Sequence, residues 1–297
     1  MKRLGLGLIV IFIATLSACG YAEEVETFMH VHGLEYDQEG SGFYLATHHG
    51  LIQVDESGWN QVGEEAEHHD FMGFTMLEDG TMISSGHPSI RSKLENPLGV
   101  MISENKGQSW EPIALHGDVD FHVLHVNLGN ENMMYGIDSY NSMLYKTKNG
   151  GYDWEQVEID GLPVTAGDIY ALASHPQNPE YLLASTEVGI YTSENGGETW
   201  TEYDNRLMVT SFQTVNESEK LFAYLLGEKE GLHVSEDFGH SWKPLHLKLH
   251  EDVVTYIAVH PKDERKLIVG TAGQSIYQTE DFGESWERLA TEGVIHH

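Results

Sequence analysis

One short pattern recurs five times along this 297-residue chain. It reads Ser/Thr-x-Asp/Asn-x-Gly-x-x-Trp and runs from Ser103 to Trp110, Thr147 to Trp154, Ser193 to Trp200, Ser235 to Trp242 and Thr279 to Trp286. Successive tryptophans stand 44, 46, 42 and 44 residues apart. A motif at that period signals one supersecondary unit repeated, each copy burying its apolar face against the next. The residue types are those of a hairpin turn followed by a strand. Glycine takes the positive φ that a tight hairpin needs. The short polar side chains bond the turn backbone, and the tryptophan opens the next strand and packs between sheets. All five copies therefore read as structural.

A sixth unit precedes them. Leu51 to Trp59 looks like a shortened copy, and 51 residues separate Trp59 from Trp110, the excess matching an insertion from Pro88 to Pro97. About 270 residues at roughly 45 per unit gives six units. Alternation and β-branched or aromatic content mark four strands in each. In the fourth unit they are expected at 169–174, 181–186, 189–193 and 200–203. No helix is signalled and no linker interrupts the array. The expected fold is all-β, a six-bladed β-propeller with four antiparallel strands per blade, spanning 26–297 as one domain. Either 25–28 or 294–297 is expected to add to a neighbouring blade.

The repeated motif is the Asp box, and the chain resembles the BNR/Asp-box β-propellers, which include sialidases, sortilin-type receptors, xyloglucanases and many secreted proteins. The resemblance implies that the boxes join the third and fourth strands of each blade, on the face away from the ligand site. Two stretches also resemble a bacterial lipoprotein group within that set, whose members are often labelled glycosyl hydrolases. They are Thr47-His48-His49-Gly50-Leu51, and His69-Asp70-Phe71-Met72-Gly73-Phe74 with Ser85-Gly86-His87-Pro88.

Residues 1–18 read as an export signal. Lys2 and Arg3 are followed by an apolar run from Leu4 to Ala14, too short for a stable membrane span. Leu16-Ser17-Ala18-Cys19 resembles a lipobox, which implies cleavage before Cys19 and lipidation of its thiol. The expected location is extracytoplasmic, anchored by lipid to the bacterial cell membrane, with 19–25 as the tether. Cys19 is the chain's one cysteine, so the mature protein would hold no disulfide and no thiolate metal site. Removing 1–18 leaves 14 basic against 47 acidic residues, a formal charge of −33. Such a surface repels nucleic acid. The expected partners are the membrane, a metal ion or small extracellular ligand, or another surface protein.

The chain carries 18 histidines, and their placement is informative. The first strand of a blade starts at the face where the antiparallel second strand ends. His30 and His32 start the first inner strand; His48 and His49 end its partner. His68, His69 and Asp70 precede the second inner strand, His87 ends the second strand of that blade, and His122 starts the third inner strand. All are expected at one face beside the channel. His30, His32, His48, His69, His87 and Asp70 are the candidate ligands of a transition metal, Zn²⁺ or Cu²⁺, which imidazole and carboxylate suit. His49, His68 and His122 are expected at the edge of that cluster. His175 and His260, each before a proline, fall on the opposite face and read as structural; His116, His246 and His250 read as loop or edge positions.

Sialidase chemistry fails on inventory, because beyond Arg3 the chain holds only Arg91, Arg206, Arg265 and Arg288, too dispersed for a carboxylate clamp. A glycosidase needs two carboxylates, and Asp70, Asp120, Asp168 and Asp252 each stand near an inner-strand start. A glycoside hydrolase, a metal-dependent lyase or hydrolase, and an interaction scaffold are the alternatives to a metal-binding propeller.

Overall fold

A computed structural model describes residues 24–216 and 218–296. Each Asp box folds the same way. In the third unit of the pattern, the Ser193 hydroxyl accepts the Gly197 amide at 2.9 Å and donates to Asn195 Oδ1 at 2.9 Å. Asn195 Oδ1 in turn accepts the Thr199 amide at 2.9 Å. The other four boxes repeat these bonds. The bonds leave no buried turn amide without an acceptor at these positions. The box glycines are left-handed, with φ of +80° at Gly107 and +93° at Gly197. They are also close-packed: a Cβ on Gly107 would lie 2.5 Å from Leu51 Cδ2, and one on Gly197 2.5 Å from Leu144 Cδ2. Leu51 and Leu144 belong to the preceding blades, so each of these turns is a clamp between neighbours. The shortened first copy is a two-residue hairpin in which Asp55 accepts the amide and hydroxyl of Ser57.

These hairpins build six antiparallel sheets over 31–61, 70–114, 121–157, 171–204, 208–244 and 254–295. Strands run from the channel outward in chain order, so all boxes lie at one end of the ring. The only helical segments described are the 3-10 turns Ala166–Asp168 and Gly227–Lys229. In the fourth blade the strands are Ala171–His175, Asn178–Thr186, Gly189–Ser193 and Thr201–Asp204. The inner one starts two residues later than its β-branched content suggests, because Asp168 accepts bonds from the amide and hydroxyl of Thr165 and holds a 3-10 turn there. The insertion runs between Met82–His87 and Val100–Ser103.

The core lies between blades. Phe71 and Trp110 of the second blade, 4.7 Å between ring centres, cluster with Leu51 and Val62 of the first, and Phe121 and Trp154 of the third, 4.9 Å apart, with Ile83 and Val100 of the second. Trp200 is buried with Tyr135 and Leu144 of the preceding blade. The ring closes without exchange of an inner strand: Val31–Tyr36 packs directly on Val254–Val259. A clip on the rim reinforces that seam. Glu24 pairs with Asn60 on the outer strand of the first blade, and Thr27 pairs with Val294 on Val294–Ile295, a fifth strand of the sixth blade. The amides of Val25 and Phe28 donate to the carbonyls of Trp59 and Gly293, both at 2.9 Å. The stretch expected as tether thus joins the propeller from Glu24 onward. Cys19 and His297 lie outside the described residues.

Candidate metal centre

Period-2 alternation decides which histidines meet. His32 lies near the start of Val31–Tyr36, and His48 in the turn after Phe43–Thr47, the strand paired with it. Asp70 opens Asp70–Met76 of the next blade. Donor atoms of these three side chains all lie within 4.8 Å of one another. His48 Nδ1 is 2.7 Å from Asp70 Oδ2. His30 joins them: its ring stacks on His32 at 6.1 Å and meets His48 edge-on at 4.7 Å, and His48 is edge-on to His32 at 4.8 Å. His30 is held there in a left-handed conformation, φ +50°, with its amide bonded to Gln274 of the sixth blade at 3.1 Å. Two buried donor atoms of the set, His32 Nε2 and Asp70 Oδ1, have no hydrogen-bond partner. A buried polar atom without a partner costs about 1–3 kcal/mol. Burial, then the charges of His48 and His30, lowers the His32 pKa from 6.5 to about 4, so the ring is neutral and its lone pair free near pH 7.

A second group forms next to the first. His87 Nε2 and His122 Nε2 lie 3.3 and 2.8 Å from Asp120 Oδ2. His87 is the direct cross-strand partner of Asp70, which links the two groups through one blade. Burial pushes the Asp120 carboxyl up, but the His122 hydrogen bond and the charges of His122 and His87 outweigh it and hold the pKa below the usual carboxylate value. The same hydrogen bond raises the pKa of His122.

His69 joins neither group. It lies two residues from Phe71, so alternation sends both inward, and the rings meet edge-on at 5.6 Å. Its Nδ1 accepts the Ser89 amide at 3.0 Å, and burial, then the charge of His68, lowers its pKa to about 4. Counting back from the core residue Phe71 would have found this. His68 Nε2 is tied to the Gly63 carbonyl at 3.2 Å, and His49 is exposed, 6.5 Å from His48 between ring centres. Asp120, read from sequence only as a carboxylate at the rim, anchors the second group. Asn96 in the insertion carries no sequence signal, yet its Oδ1 is 2.7 Å from His87 Nδ1. Asp252 accepts the amides of Val253 and Gly273, and so ties its loop to the turn after Leu267–Thr271.

His175 and His260 sit at the other end of their strands. His175 packs on Phe238 at 4.8 Å, and His260 Nδ1 accepts the amides of Lys262 and Asp263 at 3.1 and 3.0 Å. His116, expected as a loop position, ties the loop to the insertion: its Nδ1 is 2.8 Å from the Leu98 carbonyl and its Nε2 accepts the Glu95 amide at 3.1 Å.

Below both groups runs the channel, about 930 Å³, lined by His32, Glu35, Thr75, His122, His125 and Tyr256 among others. Burial raises the Glu35 pKa to about 8, and its Oε1 accepts the Thr75 hydroxyl at 3.2 Å. Burial also lowers His125 to about 4, and its Nε2 accepts the Ser174 amide at 2.9 Å. Among the described residues no helix is long and apolar enough to cross a membrane.

Comparison with known proteins places this architecture. No curated protein matches the sequence. A GH74 xyloglucanase from Xanthomonas campestris shares 14% identity at TM-score 0.58, over 91% of this chain and 46% of the enzyme. A GH74 enzyme from Niastella koreensis shares 15% at 0.60, over 91% and 47%. The chain thus spans less than half the length of these enzymes. YCF48 from Cyanidioschyzon merolae shares 14% at 0.51, over 93% of this chain and 89% of its own. At such identities the likeness is one of fold. The family model described as "Sortilin, neurotensin receptor 3" matches residues 99–231 and 230–296. With that match over more than half of its length, the chain belongs to the Sortilin-Vps10 family.

Proposed function

We propose that the protein is an extracytoplasmic, lipid-anchored propeller that binds a transition metal, Zn²⁺ or Cu²⁺, at the channel mouth through His32, His48 and Asp70, with His30 as a further imidazole. The observation that carries this reading is the convergence of one ligand atom from each of His32, His48 and Asp70 within 4.8 Å, beside the partnerless buried atoms His32 Nε2 and Asp70 Oδ1. A cation there would take one ligand atom from each side chain and separate the three rings. Imidazole and carboxylate suit a borderline ion, and a bound Zn²⁺ would supply Lewis acidity. Hydrolysis of an extracellular glycan is the second reading, because GH74 enzymes share the fold and two carboxylates stand at the mouth. Both Asp70 and Asp120 are bonded to imidazoles, which favours the metal.

Elemental analysis with thermal shifts tests the proposal. An ion at a hundred times its dissociation constant stabilises the fold by about 2.7 kcal/mol. At about 2 °C per kcal/mol, the melting temperature rises by about 5 °C. His32→Ala and Asp70→Asn should each lose one equivalent of metal and its share of that rise, whereas His260→Ala keeps both. A protein that takes up no Zn²⁺ or Cu²⁺, or variants that bind as wild type does, would sink the reading.

A further inference from the structure

His87 is held from one side by Asn96 and aimed from the other at Asp120. Asn96 Oδ1, which can only accept, lies 2.7 Å from His87 Nδ1. Nδ1 is therefore the ring's donor to Asn96, and Nε2 is left turned toward Asp120 Oδ2 at 3.3 Å. The His122 Nε2 atom converges on the same carboxylate oxygen at 2.8 Å. Asp120 itself is buried, and its other oxygen, Oδ1, has no partner. From behind, Asp138, also buried, accepts the Asp120 amide at 3.3 Å and fixes the strand start. A cation between His87, Asp120 and His122 would take one ligand atom from each of the three convergent side chains. All three donor atoms lie within 4.8 Å of one another, as in the first group.

We infer that His87, Asp120 and His122 form a second transition-metal site, so that the channel mouth holds a pair of ions. The inference builds on the first site only in sharing its ion class, a borderline divalent cation suited to two imidazoles and a carboxylate. Asn96 is its positioning residue. Outer groups that hold a ligating histidine in one tautomer commonly contribute ten- to a hundredfold in affinity. This gives the insertion a role: it brings Asn96 against His87, whose cross-strand partner Asp70 belongs to the first group. The side chains of His87 and His122 are 39% and 43% exposed, so this ion would keep positions open to solvent, whereas Asp120 is nearly enclosed.

The test is stoichiometry. The full-length protein and its variants are equilibrated with Zn²⁺, and in parallel with Co²⁺, then desalted and analysed for bound metal. Wild type should carry two equivalents, His122→Gln and Asp120→Asn one, His32→Ala one, and His32→Ala with His122→Gln none. Asn96→Ala, a change in a surface loop, should weaken only one of two Co²⁺ binding phases by at least tenfold. Asn96→Asp, which still accepts from Nδ1, should restore it. One equivalent lost with His32→Ala but kept in His122→Gln would overturn the second site and leave the first. One equivalent with the opposite pattern would leave the second site and overturn the first. No bound metal would overturn both, and two equivalents with an unaffected Asn96→Ala would overturn the positioning role.

Discussion

Gly196 and Gly197 stand side by side in one Asp box, and the structure separates what alanine would cost at each. Both are left-handed, with φ of +69° and +93°. The left-handed region costs an L-residue about 1–2 kcal/mol. Removing a glycine from the unfolded chain returns about 0.4–1 kcal/mol. Gly196→Ala meets nothing further, since its Cβ would come no closer than 3.4 Å, to Tyr135 Oη. The expected loss is about 1 kcal/mol. Other boxes bear this out, with Lys106, Phe238 and Phe282 at that position and φ of 58°, 48° and 63°. At Gly197 the Cβ would sit 2.5 Å from Leu144 Cδ2 in the packed seam between blades. Overpacking adds about 1–3 kcal/mol, for a total near 3 kcal/mol. By urea denaturation, Gly197→Ala should lose about 2 kcal/mol more than Gly196→Ala. In a Leu144→Ala background that excess should vanish, since the coupling is between those two side chains. Equal losses at the two glycines, or an excess that survives Leu144→Ala, would refute the clamp.

Two further outcomes are expected. Glu35 keeps its proton in the native state up to about pH 8, whereas the unfolded chain releases it near 4.5. The stability this group supplies is intact below pH 4.5 and is lost as the pH rises through about 8. Glu35→Gln should therefore gain on wild type between pH 5 and 8 in urea melts, and a constant offset would contradict the buried acid. Cys19→Ala should leave the protein unprocessed or free of the membrane fraction; unchanged processing and retention would remove the lipobox from the argument.

The box spacing was enough to read the architecture, because each box fixes a turn by its own side chains and the period then counts blades. Strand starts were less legible: Ala171 begins later than its apolar neighbours suggest because Asp168 bonds Thr165. The face on which the histidines gather follows from antiparallel order alone, and His30, His32, His48 and Asp70 meet there. Which way each side chain turns depends on strand register. His69 and Phe71 share one side of their strand, and Asp70 and Met72 the other, so neighbours in sequence part company. That register was present in the alternation but hidden by the run of three titratable residues. Asn96 was not legible, because a loop insertion has no period from which its path could be inferred.

The rim clip bears on how the molecule would stand at a membrane. Glu24 leaves the propeller paired with Asn60 on the outer strand of the first blade, beside the seam with the sixth. Five residues from a lipidated Cys19 reach at most about 17 Å. That matches the radius of gyration of about 18 Å expected for a domain of this size. So short a leash would hold the ring edge-on, like a wheel resting on its tread. The imidazole-bearing end would then look along the bilayer, open to passing solutes, and traction on the anchor would load the seam between first and last blades before any other.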